Sequence, residues 1–156
     1  MLKPRIIPCL LVHKKGLVKT VKFKNPRYVG DPINAVKIFN EKMVDELIVI
    51  DIDATVENRE PDYNLIKNLA AECRMPLCYG GGVSSAEQAV KIISLGAEKV
   101  AISSKAISNP ELLSEIAKAI GLQSVVVVID VQKKGIFGKY EVVTHNANKA
   151  TGKNPV

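Results

Sequence analysis

The sequence predicts an α/β fold with an all-parallel sheet, and three observations carry that prediction. Short apolar, β-branched runs recur along the chain. Helical patterns with recognisable starts separate them. Glycines, serines or a carboxylate stand at the far ends of several runs.

The runs are Arg5–Val12, Glu46–Ile52, Met75–Tyr79, Lys99–Ile102 and Ser124–Val131. Each is nearly all apolar and bounded by charged or turn residues, the pattern of strands buried on both faces. Between them, Asp31-Pro32 supplies an N-cap and a first-turn proline for a helix through residues 33–43. Asp62 opens a second, and the Ser84-Ser85-Ala86-Glu87 spacing a third that stops at Gly96. Asn109-Pro110 repeats the cap-plus-proline device before a fourth, ended by Gly121. Apolar residues recur at three- and four-residue spacing in each, giving one face to lay on a sheet.

The resulting β-α-β-α-β-α-β-α-β order implies right-handed crossovers. An open doubly wound sheet and part of a (β/α)8 barrel both fit. No G-x-G-x-x-G follows the first run, which weighs against a dinucleotide fold. Two stretches depart from simple alternation: 16–23 reads as a small hairpin, and 133–143 as a turn with an extra strand. Insertions at strand C-terminal ends are where a barrel places its functional loops.

Composition narrows the function classes. The 156 residues are 47% hydrophobic and only 4% aromatic, ordinary for one globular domain. No apolar stretch reaches the ~18 residues of a membrane span, and the N-terminus lacks a signal-peptide core. Cys9, Cys73 and Cys78 lie in apolar or helical contexts, pointing to buried thiols rather than a disulfide or metal framework. A cytoplasmic setting is expected. With 22 Lys and Arg against 16 Asp and Glu, the net charge is +6. The lysines are dispersed and no nucleic-acid-binding motif appears. The excess is a solvated surface or an attraction for phosphorylated small molecules. No metal or cofactor is expected.

Gly80-Gly81-Gly82 precedes the third helix, where freed backbone N–H groups at a positive helix end form an oxyanion cradle. Three glycines exceed the needs of a turn, which favours phosphate binding by Gly81 and Gly82. Ser103 and Ser104 could add donors, and Lys19 a cation. Asp51 and Asp53 end the second run and Asp130 the fifth. A carboxylate closing an apolar strand must reach solvent, a partner or a ligand. At a barrel rim it reads as a catalytic or substrate-binding group, with loop capping as the alternative. At the opposite strand ends stand Arg5, Glu46 and Lys99, an ion-pair cluster or a gate.

Several segments resemble a known family. RIIPCL at 5–10, GDP at 30–32, DELIVIDI at 45–52, GGGV at 80–83, LGAEKVAISS at 95–104, NPELL at 109–113 and VVVVIDV at 125–131 are similar to the cyclase subunit of imidazole glycerol phosphate synthase. That resemblance implies a (β/α)8 TIM barrel of ~250 residues, of which residues 1–156 form four βα units plus strand five. The chain is then a single partial barrel domain, incomplete at its C-terminus. The resemblance further implies a class I glutaminase docked at the N-terminal barrel face. Ammonia passes a gate containing Arg5, Glu46 and Lys99 to a phosphorylated substrate bound by Gly82, Ser103 and Ser104. Asp130 matches one of two catalytic aspartates. The other should follow IIPCL, but Leu11 stands there, and leucine cannot transfer a proton.

Leu11, together with the stretch 16–42, resembles a divergent branch associated with surface-polysaccharide sugars, where the barrel helps supply ammonia for amidine formation. A histidine-biosynthesis cyclase and a non-catalytic phosphate-binding half-barrel are the alternatives. Five strands cannot close an eight-stranded barrel, so the isolated chain is expected to self-associate.

Overall fold

A computed structural model of the chain describes residues 3–134 and 138–155. The first three strands among them are β1 (Cys9–His13), β2 (Gly16–Val21) and β3 (Lys24–Gly30), leading into helix α1 (Pro32–Glu41). Then β4 (Leu47–Asp51), α2 (Tyr63–Glu72), β5 (Leu77–Gly80), α3 (Ala86–Ser94) and β6 (Lys99–Ile102) alternate. A short α4 (Ser104–Ser108), α5 (Glu111–Ile120) and β7 (Val125–Val127) come next. The chain closes with β8 (Asp130–Lys134), β9 (Lys139–Thr144) and β10 (Lys149–Ala150).

The main sheet runs β3-β2-β1-β4-β5-β6-β7. From β1 to β7 every pairing is parallel and joins neighbours in the predicted order. This is the arrangement of the first five strands of a (β/α)8 barrel, not of a doubly wound sheet, whose strand order reverses.

The caps explain where the helices start. Asp31 accepts a hydrogen bond from Asn34 N (3.0 Å) with Pro32 next in line, and Asp62 accepts from Leu65 N (3.0 Å). In α3 the cap is Ser85, which accepts from Gln88 N (3.3 Å), while Gln88 Oε1 reaches back to Ser84 N (2.7 Å). The expected Asn109 cap does not form. Pro110 takes the capping position of α5, and Asn109 contributes only its carbonyl, to Leu112 N.

Strand boundaries shift for similarly local reasons. β1 starts at Cys9 and β5 at Leu77, each directly after a proline that has no N–H for the ladder. Pro8 and Pro76 still accept from Ile48 N and Leu47 N, both at 2.9 Å. The fifth run divides. Val125–Val127 completes the parallel sheet, while Asp130 opens the antiparallel β8-β9-β10 sheet instead of ending strand five. Residues 135–137, the expected turn between β8 and β9, lie outside the described residues, as do Met1, Leu2 and Val156. The predicted 16–23 hairpin appears as β2, which also pairs with β3, a strand not anticipated.

Two hydrophobic clusters lie between sheet and helices. Val12, Leu17, Val36, Leu47, Val49, Leu69 and Leu77 form one. Ile66, Tyr79, Ile92, Val100, Ile102 and Ile116 lead the other. Alternate residues point to the opposite, concave face, where Cys9, Leu11, Ile48 and Ile50 line a cavity.

The three thiols sit in three settings. Cys78 is buried and Cys73 partly buried, but Cys9, against expectation, is exposed. Burial, with Glu46 nearby, pushes the Cys78 thiol up to about 12. Cys9 is raised too, by its apolar surroundings and then by Asp130. Labelling with a disulfide reagent followed by peptide mass spectrometry is expected to modify Cys9 first, Cys73 slowly and Cys78 only on unfolding. Early modification of Cys78 would contradict the packing described.

Candidate functional site

Parallel strands bring their starts together at one end of the sheet, and three predicted charges meet there. Lys99 Nζ lies 2.6 Å from Glu46 Oε2, and Arg5 Nη1 lies 3.6 Å from the same oxygen. The Glu46 side chain is 5% exposed, Lys99 25% and Arg5 64%. One buried carboxylate is therefore shared by two cations, one inside the wall and one reaching solvent.

At the other end, a cavity of about 260 Å³ opens between the strand C-termini. Gly81, Gly82, Ser103, Ser104 and Asp130 all line it, together with Leu11. Asp130 is half-buried, and desolvation raises its pKa. Leu11 contributes to the wall from β1, where a carboxylate would face the same space.

Each of the three glycines has a packing reason, so the triplet is not surplus to the turn. A Cβ on Gly80 would lie 2.9 Å from both Ala101 Cβ and Ile50 Cδ1. Gly81 has φ +120, and its Cβ would stand 2.5 Å from the Asp51 carbonyl oxygen. At Gly82, φ is +74 and the Arg59 carbonyl oxygen is 2.6 Å away. Close approach and positive φ account for the run, and they leave its backbone on the cavity wall.

Asp51 and Asp53 hold the rim loop together. Asp51 Oδ1 accepts from the amides of Asp53 (3.0 Å) and Ala54 (3.2 Å) and from Arg59 Nη2 (2.9 Å). Its Oδ2 pairs with Arg59 Nη1 at 2.8 Å. The hydrogen bond from Arg59 to Asp51 in turn raises the Arg59 pKa further above its usual range. Asp53 accepts from Lys14 N (2.8 Å) and bonds His13 Nδ1 (2.7 Å), tying the end of β1 to the loop after β4. Asp51, the possible substrate-binding carboxylate, therefore lines the cavity while its oxygens are engaged by protein donors. Lys19 stays apart: it is exposed on β2 opposite Arg27, and the cavity wall takes Thr20 and Phe23 instead.

Wall or rim residues that sequence reading did not single out include Arg59, Phe23, His145 and Asn146. His145 and Asn146 belong to a turn after β9 that folds over the strand ends, where Asn146 Nδ2 donates to Ile52 O at 2.9 Å. The turn-forming run at 145–148 was the available signal. Arg59 had none, since its partner is set by tertiary geometry. Among the described residues no group of three or more His, Cys, Asp or Glu side chains could hold a metal ion. No helix among them is long and apolar enough to cross a membrane.

A family model described as "Histidine biosynthesis protein" matches residues 5–156. The chain belongs to that family. It is 59% identical over 155 residues to a protein of Leptospira interrogans provisionally named imidazole glycerol phosphate synthase subunit HisF, covering 99% of this chain and 61% of that one. A Pseudomonas aeruginosa relative provisionally named subunit hisF2 is 53% identical over 156 residues, covering 100% and 62%. The HisF subunit of Exiguobacterium sibiricum is 38% identical over the same length, also covering 100% and 62%. The chain therefore spans about three-fifths of the length of these histidine biosynthesis family relatives.

Proposed function

We propose that residues 1–156 form the N-terminal part of a barrel subunit, one partial domain, in an imidazole glycerol phosphate synthase-like glutamine amidotransferase complex. One observation carries the reading. The Arg5–Glu46–Lys99 cluster and the Gly82–Ser104 cavity sit at opposite ends of the same parallel strands. A glutaminase docked at the cluster end delivers ammonia past the shared Glu46. A phosphorylated substrate is held at the other end by backbone N–H groups of Gly81 and Gly82 and donors of Ser103 and Ser104. Asp130, with its raised pKa, is the ionisable group beside it.

Leu11 sets the fate of the ammonia. Without a second carboxylate facing Asp130, paired acid and base catalysis of ring closure is lost. The subunit then conveys ammonia for amidine formation on a surface-polysaccharide sugar. The identities, 44% to 59% to relatives provisionally named HisF, hisF2 or hisF3 against 38% to a protein named HisF without qualification, fit a chain that has diverged from the latter. The competing reading, a histidine-pathway cyclase, has the retained Asp130 in its favour.

A chain extended to the length of its relatives separates the two. Given ammonia and the imidazole-forming substrate, it is expected to show no cyclisation, while still stimulating glutamine hydrolysis by its partner. Leu11→Asp is expected to restore measurable ring closure. Turnover by the Leu11 protein would establish the cyclase reading instead. Equal glutamine hydrolysis with and without the barrel would remove the complex altogether.

The 156-residue chain alone leaves β7 at a sheet edge and Val127, Ile129 and Val131 38–48% exposed. Such a surface drives self-association, and a monomer in light scattering would contradict it.

A further inference from the structure

We infer that His145 is a ligand-contacting residue of the phosphate cradle, donating a hydrogen bond from Nε2 to a phosphate oxygen. This rests on the reading of the cavity as a phosphate site and adds to it a side chain from a separate sheet. The turn after β9 carries His145 into the wall of the 260 Å³ cavity, beside Gly82 and Ser104. A second cavity of about 760 Å³ is also lined by Gly82, Ser104, His145 and Lys105. His145 and the cradle thus border both spaces.

The local geometry holds the ring there. His145, Asn146 and Ala147 have φ of +56, +56 and +62, three successive left-handed residues without a glycine. Strained backbone of this kind persists only where its surroundings fix it, and the bond from Asn146 to Ile52 O supplies the anchor. The turn itself needs no imidazole, since Asn146 and Ala147 adopt the same conformation without one. His145 Nδ1 lies 3.0 Å from Thr144 Oγ1, and Thr144 is buried. This pairing fits either tautomer; in the one proposed, the hydroxyl donates to Nδ1 and the ring proton sits on Nε2. The imidazole is then a donor toward the cavity even when neutral, suited to a phosphate and unsuited to a cation.

The chain has two histidines, which makes the test direct. Imidazole ¹⁵N–¹H spectra of the 156-residue chain would be recorded as inorganic phosphate is added, at fixed pH and with chloride holding ionic strength constant. His145 is expected in the Nε2–H form, with Nε2 and the amides of Gly82 and Ser104 shifting along one saturation curve. His13, tied to Asp53, should stay still. His145→Asn, which suits a left-handed turn, should weaken phosphate binding by about tenfold or more, the worth of one hydrogen bond to a charged acceptor. Thr144→Val should release the tautomer and weaken binding in the same direction. If the Gly82 and Ser104 amides shift but His145 does not, and the Asn variant binds equally, the inference fails while the phosphate site stands. If no cradle amide responds, the phosphate reading fails and this inference with it. Equal shifts of both histidines would show non-specific ionic contact and overturn the proposal.

Discussion

Asp51→Ala is expected to destabilise the chain by about 4 kcal/mol, read as a fall in the urea midpoint at unchanged slope. The side chain is 3% exposed and its oxygens accept three hydrogen bonds and one ion pair. Truncation strands the amides of Asp53 and Ala54, at about 1–3 kcal/mol for each buried donor left unpaired. Arg59, 38% exposed, rehydrates in part, so its lost ion pair adds little. Asp51→Asn keeps an acceptor for the two amides but turns an NH₂ toward the guanidinium, and about half the loss should return. A change below about 1 kcal/mol in the Ala variant would mean the rim is held by other contacts.

Gly81→Ala should cost about 3 kcal/mol, for two separable reasons. A φ of +120 is unfavourable for any side chain, and the new Cβ would meet backbone and side-chain atoms of Asp51 at 2.5 and 2.7 Å. Gly30→Ala is the control. Its φ is +153, yet nothing lies within 4 Å of the added carbon. About 1 kcal/mol is expected there, and the difference in melting free energy measures the close approach. Equal losses at both positions would show that the Asp51 contact relaxes freely.

The helices and parallel strands were legible because their signals are local. An Asp or Ser cap acts on an amide three residues away, and an apolar run needs no distant partner to be recognised. β3 was missed because Lys24–Gly30 contains Pro26 and no apolar alternation, and it is a strand only through pairing with β2. The fifth run could not reveal its division, since 125–131 is continuously apolar up to Asp130 while its two ends join different sheets. At the rim, the sequence marks positions that are polar or conformationally constrained. Which of them faces the cavity depends on contacts across as many as 94 residues, such as Asn146 to Ile52, and no local spacing encodes that.

The two hydrophobic clusters carry a consequence for synthesis. One draws its buried members from residues 12–77 and the next from 66–116. Each cluster is thus complete once its own stretch of chain has been released, which permits the core to close in the order of synthesis. Emergence at ~5–20 residues per second leaves seconds between the two clusters.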